Sequence, residues 1–116
     1  MSDSTMGMTI SAHTVRHIPY WAIVDRVVGD AGPMGTKALP KVPGLRLLFD
    51  ESDAGNPREE VNDLGRRVAE ELGLPYSAEL RGLLGFYLAD AEGQPVDMPQ
   101  HLRDRIQGIA DSIRGR

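Results

Sequence analysis

Histidines are the first residues of this chain whose type and spacing could support chemistry. His13 and His17 stand four residues apart, which on a helix would bring two imidazoles together as metal ligands. Zinc-peptidase helices carry a glutamate directly after the first histidine, and Thr14 occupies that position here. Two ligands do not make a site, and the third histidine, His101, is distant in sequence. We therefore expect no metal site and interpret these histidines as surface residues.

Residues for covalent or acid–base catalysis do not form a recognisable set. The sequence has no cysteine and no Gly-x-Ser-x-Gly turn that would present a nucleophilic serine. Adjacent carboxylates occur at Glu59/Glu60 and Glu70/Glu71, but they are typical of a solvated helix surface. We expect no cofactor and favour a protein that is not an enzyme. A small enzyme or ligand-binding protein stays a third alternative.

Length, composition and charge indicate one small, soluble, acidic domain. The 116 residues are 41% hydrophobic and 26% charged, which is ordinary for a globular protein. The net charge is −4, and the acidic residues concentrate in positions 50–63, which disfavours a nucleic-acid partner. No apolar run approaches the roughly 20 residues of a membrane-spanning helix, and the N-terminus lacks signal-peptide features. We expect a cytoplasmic protein with no membrane association.

The pattern along the first half of the chain predicts a flexible tail over residues 1–12, followed by a single globular domain over 13–116. Apolar residues recur at helical spacing in residues 19–28, which predicts a short helix. Four glycines and three prolines in residues 29–44 predict one long irregular loop, a candidate binding segment. The apolar run 45–49 predicts a short strand.

Two further amphipathic helices are indicated by local end signals. Asn56 as N-cap and Pro57 at the first helical position begin one helix, and Gly73 provides its left-handed end. Pro99 opens the last helix, which continues towards the C-terminus with an apolar stripe.

Between these two helices, the leucines and Tyr87 predict another helix that begins at Ser77. Gly82 and Gly85 weaken it, so residues 86–89 and 95–98 pairing as a hairpin remains an open alternative. The predicted fold class is mainly α, with three to four amphipathic helices and a short strand or hairpin element. An α+β fold is the alternative.

Residues 66–74 resemble the first helix and turn of a helix-turn-helix, with Ala69 at the close helix contact and Gly73 at the turn. In that family the second helix reads the major groove from its N-terminal residues. The resemblance implies an alternative function, a DNA-binding regulator that uses residues 66–90. Its DNA contacts would come from Arg66, Arg67, Tyr76, Ser77 and Arg81.

The leading functional hypothesis is a non-enzymatic protein-binding module, such as an adaptor, an inhibitor or a small regulatory subunit. Its candidate partner-binding residues are Tyr20, Trp21, Lys37 and Lys41, because aromatic side chains beside an irregular loop often anchor a partner. Trp21 is the only tryptophan, however, and a lone tryptophan is expected to be buried in the core. The partner is expected to be another protein, and self-association is an open alternative.

Overall fold

A six-stranded antiparallel sheet with helices on both faces organises the chain. The computed structural model describes residues 5–28, 33–51, 58–75 and 80–115. The elements in chain order are β1 (Met6–Ile10), β2 (Val15–Pro19), α1 (Tyr20–Val27), β3 (Met34–Ala38), β4 (Leu45–Asp50), α2 (Asp63–Glu71), β5 (Leu84–Ala89), β6 (Pro95–Val96) and α3 (Gln100–Arg114). The strand order is β2-β1-β5-β4-β3, and β6 pairs with β5. The fold is therefore α+β, and the mainly α prediction is wrong.

Strand β5 occupies the segment that the leucine spacing predicted to be a helix. It lies between β1 and β4 in the middle of the sheet, so both of its faces are covered and nearly every side chain is apolar. When nearly every residue of a segment is apolar, some apolar residues necessarily fall at helical spacing, so the spacing does not distinguish a helix from a buried strand. Gly82, which has a φ of 77°, precedes the strand in a conformation that helices exclude. The alternative prediction, a hairpin between residues 86–89 and 95–98, is confirmed, because β5 pairs with β6.

Two other strands lie where the sequence predicted irregular chain. The prediction of a flexible tail over residues 1–12 is wrong for Met6–Ile10, which form strand β1. Met8 and Ile10 are fully buried, and β1 pairs with β2 and β5. The prediction of an irregular loop over residues 29–44 is wrong for Met34–Ala38. These residues form strand β3, which pairs with β4 along its full length. In both cases the sheet supplies hydrogen-bond partners that compensate for weak local strand propensity.

Three local predictions are confirmed. Helix α1 falls within the predicted residues 19–28, β4 matches the apolar run 45–49, and α3 begins directly after Pro99. The end of α2 also follows its signal: Gly73 has a φ of 104°, and Leu74 N–H donates to the Ala69 carbonyl at 3.0 Å. This is the Schellman arrangement that a C′ glycine permits.

The start of α2 differs from the prediction. The helix begins at Asp63, and the residue that caps it is Asn62, whose Oδ1 accepts a hydrogen bond from Gly65 N–H at 2.9 Å. The predicted cap residues Asn56 and Pro57 lie outside the described residues.

The two faces of the sheet carry different helices. Helices α2 and α3 cover what we call the two-helix face, where the larger core is built around Phe86 and Leu47. Helix α1 alone covers the one-helix face, where a smaller core contains Ile23, Leu48 and Tyr87. Alternation along β4 and β5 explains why neighbouring residues serve different cores. None of the helices in the described residues has the length and apolar character needed to span a bilayer.

Candidate protein-binding surface

Helix α1 is fixed on the sheet by one isoleucine that sits over two glycines. Ile23 is fully buried. A Cβ atom at Gly7 of β1 would lie 2.5 Å from Ile23 Cδ1, and one at Gly85 of β5 would lie 2.4 Å from Ile23 Cγ2. Both distances are far below van der Waals contact, so only glycines allow the helix to approach this closely. The position of α1 is therefore set by steric fit.

Tyr20 reinforces this attachment at the start of the helix. Its ring meets that of Tyr87 edge to face, with centroids 5.0 Å apart and an interplanar angle of 63°. Burial, and then the neighbouring Tyr87, raises the pKa of the Tyr20 hydroxyl above its ordinary value. Tyr20 was a candidate partner contact in the sequence, and the structure places its half-buried side chain against the smaller core.

Trp21 points away from the sheet. Its side chain is 64% exposed, so the expectation that the single tryptophan would be buried is wrong. Val24, Asp25 and Val28 follow Trp21 at spacings of three, four and seven residues, so they border Trp21, and Val24 and Val28 also pack against the smaller core. We call these four residues the Trp21 surface. Val24 and Val28 are half-buried, and Asp25 is exposed beside the indole.

The two candidate lysines do not join this surface. Lys37 lies opposite Leu47 in the β3–β4 register, so it belongs to the two-helix face of the sheet. Lys41 lies in the turn before β4, where its N–H donates to the Leu72 carbonyl at the end of α2, at 3.1 Å. Both side chains are exposed. Tyr20 and Trp21 both lie on α1 at the one-helix face, with Tyr20 against the core and Trp21 in solvent, and neither lysine lies on that face.

The remaining members of the Trp21 surface were missed, although the sequence carried a signal for them. The apolar spacing of α1 includes Ile23 and Val27, and Trp21 lies on the opposite side of a helical projection from Ile23. An aromatic residue opposite the apolar stripe of a helix is directed to solvent unless a second layer covers it.

The helix-turn-helix resemblance requires a second helix that continues into the segment 84–89. Leu84–Ala89 is strand β5, so the helix predicted for that segment is wrong, while the DNA-binding role stays a prediction. Tyr76 and Ser77 lie outside the described residues. Arg81 is half-buried in a bridge with Val61, and its Nη1 donates to the Glu59 carbonyl at 2.8 Å.

The two arginines of α2 are engaged in ion pairs along their own helix. Arg66 bonds to Asp63 and to Glu70, the latter at 2.8 Å, and Arg67 lies 3.8 Å from Asp63. The hydrogen bond to Asp63 is the main cause of a raised pKa at Arg66. The carboxylates in these contacts neutralise the positive charge that binding to a phosphate backbone would require.

His13 and His17 occupy separate polar clusters on the β1–β2 hairpin instead of a helix. His17, on β2, donates from Nε2 to Gln107 Oε1 at 2.9 Å and accepts at Nδ1 from Arg103 at 3.3 Å. His13 lies 3.0 Å from Glu60, with both side chains exposed. Within the described ranges, no three His, Asp or Glu side chains gather to hold a metal ion.

Two shallow clefts flank the C-terminal ends of α2 and α3. One has a volume of about 210 Å³ and is lined by Lys41, Arg67, Glu70, Glu71 and Ile113. The other, of about 290 Å³, lies between Glu71 and the Arg105–Ile113 side of α3. Both are smaller than the roughly 300 to 1,000 Å³ of most small-molecule pockets. They are surface grooves between packed helices.

Comparisons with known proteins give no family assignment. No family model matches this chain, and neither the curated proteins nor the solved structures contain a significant match.

Proposed function

We propose that this protein is a non-enzymatic protein-binding module that docks its partner through the Trp21 surface. The observation that carries the proposal is the exposed indole of Trp21 on a helix that Ile23 packs closely against the sheet. Tryptophan is enriched among the residues that dominate binding energy in protein interfaces. A preorganised anchor also reduces the entropy lost on binding, because its backbone is already ordered.

The surroundings of Trp21 fit an interface with an apolar centre and a charged rim. Val24 and Val28 provide partly exposed apolar surface along the helix, while Asp25 and Arg26 are exposed. This pattern matches the general anatomy of protein interfaces. The partner is expected to offer a pocket for one aromatic ring, bordered by side chains of both charges.

Affinity capture with matched variants tests the proposal. The immobilised wild-type chain, Trp21→Ala and His101→Ala are each exposed to native extract, once untreated and once after nuclease treatment. His101→Ala is the control, because it removes an exposed ring from α3 on the other side of the sheet. We expect one protein to be retained by the wild type and by His101→Ala and lost with Trp21→Ala. Equal retention by all three chains, or capture that disappears after nuclease treatment, would contradict the proposal.

Fluorescence then tests direct contact. Trp21 is the only tryptophan, so its emission reports on this surface alone. Addition of the purified partner should shift the emission to shorter wavelength as the indole leaves water. Trp21→Ala should weaken binding by about 30-fold, the typical size for a dominant interface residue. An unchanged emission at saturation would show that the partner binds elsewhere.

A further inference from the structure

The outer edge of β3 carries backbone groups that point away from the sheet. Leu39 N–H donates to the Leu45 carbonyl, and Glu51 N–H donates to the Pro33 carbonyl, both at 3.0 Å. Alternation in an antiparallel ladder means that the odd-numbered residues of β3 bond to β4. In the described part of the chain, no strand pairs with the other edge. The outward N–H and C=O groups belong to Met34, Thr36 and Ala38.

The opposite edge of the sheet, formed by β2, is partly protected from a further strand. Tyr20 N–H bonds to the Thr5 carbonyl, so the same alternation directs the backbone groups of Val15, His17 and Pro19 outward. Pro19 has no N–H to offer. The side chain of His17 is bonded to Gln107 of α3, which brings a helix to this edge. Proteins commonly protect sheet edges in these ways, and β3 lacks both forms of protection.

We propose that the open edge of β3 pairs with the same edge of a second copy of this chain, antiparallel and centred on Thr36. A two-fold axis at this point sets Met34 opposite the partner's Ala38 and Thr36 opposite the partner's Thr36. The three outward N–H groups and three outward C=O groups of each copy then allow about six hydrogen bonds. The result is one continuous sheet across the dimer, and this proposal is independent of the Trp21 surface.

Charge complementarity on the two-helix face supports this register. Gly35 would lie opposite the partner's Lys37, at a Cα separation of about 4.5 Å for a non-hydrogen-bonded pair. The side chains of Phe49 and Glu51 both cover Gly35, because Phe49 Cε2 lies 2.5 Å and Glu51 Cγ 2.9 Å from the position of a Cβ there. The partner's Lys37 would therefore meet Glu51, and symmetry repeats this contact. Among the described residues, neither Lys37 nor Glu51 has an ion-pair partner within its own subunit.

The one-helix face fits the same register. Met34 is 50% exposed, and the pairing places it beside the partner's small, exposed Ala38. Thr36 meets its own symmetry mate, a pair that sheets accommodate well. A lysine on an edge strand usually discourages pairing, but in this register it faces a carboxylate instead of another lysine.

A charge exchange tests the register. Sedimentation over a concentration series should give a dimer of twice 12.7 kDa for the wild type. Lys37→Glu and Glu51→Lys each place like charges together at two symmetric points, and each should weaken dimerisation by about tenfold. The double variant Lys37→Glu/Glu51→Lys restores opposite charges and should recover wild-type association. Two single variants that dimerise like the wild type would overturn the register.

A pair of proline variants tests the edge itself. Thr36→Pro removes an N–H that points outward, so circular dichroism should remain native while the dimer is lost. Lys37→Pro is the control, because it removes an N–H that bonds to β4 and should destabilise the fold of the monomer. Amide exchange of Thr36 should also slow as the wild-type concentration rises. A wild-type chain that stays monomeric at about 1 mM, or a Thr36→Pro variant that dimerises normally, would overturn the proposal.

Discussion

The two faces of the sheet are covered by different physical means. On the two-helix face, the buried side chain of Asn62 ties the start of α2 to two distant backbone segments through hydrogen bonds. On the one-helix face, α1 is held by the fit of Ile23 over Gly7 and Gly85, with no comparable buried polar contact on the helix. The two-helix face therefore adds buried hydrogen bonds to its apolar packing, whereas the one-helix face depends on close steric fit.

This difference has a consequence for the surface. Two helices pack against each other as well as against the sheet, so α2 and α3 bury most of their apolar side chains. A single helix contacts only the sheet, and its far side stays in solvent. Trp21 is exposed because no second helix lies over α1 among the described residues. The face with the smaller core is thus the face that presents an aromatic side chain.

A large effect on stability is expected from Asn62→Ala. Asn62 Nδ2 donates to the carbonyls of Ile10 at 2.7 Å and Gly82 at 2.8 Å, while its Oδ1 caps α2. Loss of the cap and of both buried contacts should lower the free energy of unfolding in urea by about 3 kcal/mol.

Asn62→Asp separates the cap from the two buried hydrogen bonds. A carboxylate can still accept the hydrogen bond from Gly65 N–H, but it cannot donate to the carbonyls of Ile10 and Gly82. We expect this variant to be clearly destabilised as well. A loss close to zero for Asn62→Asp would mean that capping alone fastens the two-helix face.

A double-mutant cycle tests the steric attachment of α1. Gly85→Ala brings a methyl group against Ile23 and Leu48 and should cost about 2 kcal/mol in urea unfolding. Ile23→Ala should cost about 3 kcal/mol. The double variant should be less destabilised than the sum by about 1 kcal/mol, because the new methyl group fills part of the vacated space.

Gly108→Ala is the matched control for this cycle. A Cβ atom at Gly108 of α3 would have nothing within 4 Å, so this substitution should stabilise the helix by up to about 1 kcal/mol. Strict additivity of Gly85→Ala and Ile23→Ala would break the comparison, since α1 would then not depend on this fit.

Alkaline pH should weaken the one-helix face through Tyr20. Its pKa is raised by burial and by Tyr87, so the folded state holds the proton more tightly than the unfolded chain. The corresponding stability is fully present below the unfolded pKa of about 10 and is lost as pH rises through the folded value. Tyr20→Phe should show a flatter decline of unfolding free energy above about pH 9.5. Parallel declines for both proteins would show that Tyr20 does not contribute.

The smallest effect on stability is expected from Trp21→Ala. Removal of a buried tryptophan usually costs about 3 to 5 kcal/mol, but the side chain of Trp21 is mostly in solvent. Urea unfolding should change by less than about 0.5 kcal/mol. A large loss would show that Trp21 supports the core, and the proposed binding role would lose its basis.

Local signals in the sequence were sufficient for several elements. The spacing in α1, the apolar run of β4, Pro99 before α3 and Gly73 after α2 each act within a few neighbouring residues. For the candidate surface, Tyr20 and Trp21 were identified, but their division between core and solvent was not. A helical projection of residues 19–28 already predicts that Trp21 faces away from Ile23 and towards solvent.

The sequence by itself determined α1, α3, β4 and the end of α2, because capping, helical spacing and glycine conformations are properties of short segments. Only the tertiary structure decided that β1, β3 and β5 are strands. Met8 pairs with Phe86, which is far away along the chain, and such a contact cannot be predicted from either segment alone. The same holds for Trp21, whose exposure depends on which elements cover α1, and for β3, whose open edge exists only once the sheet has formed.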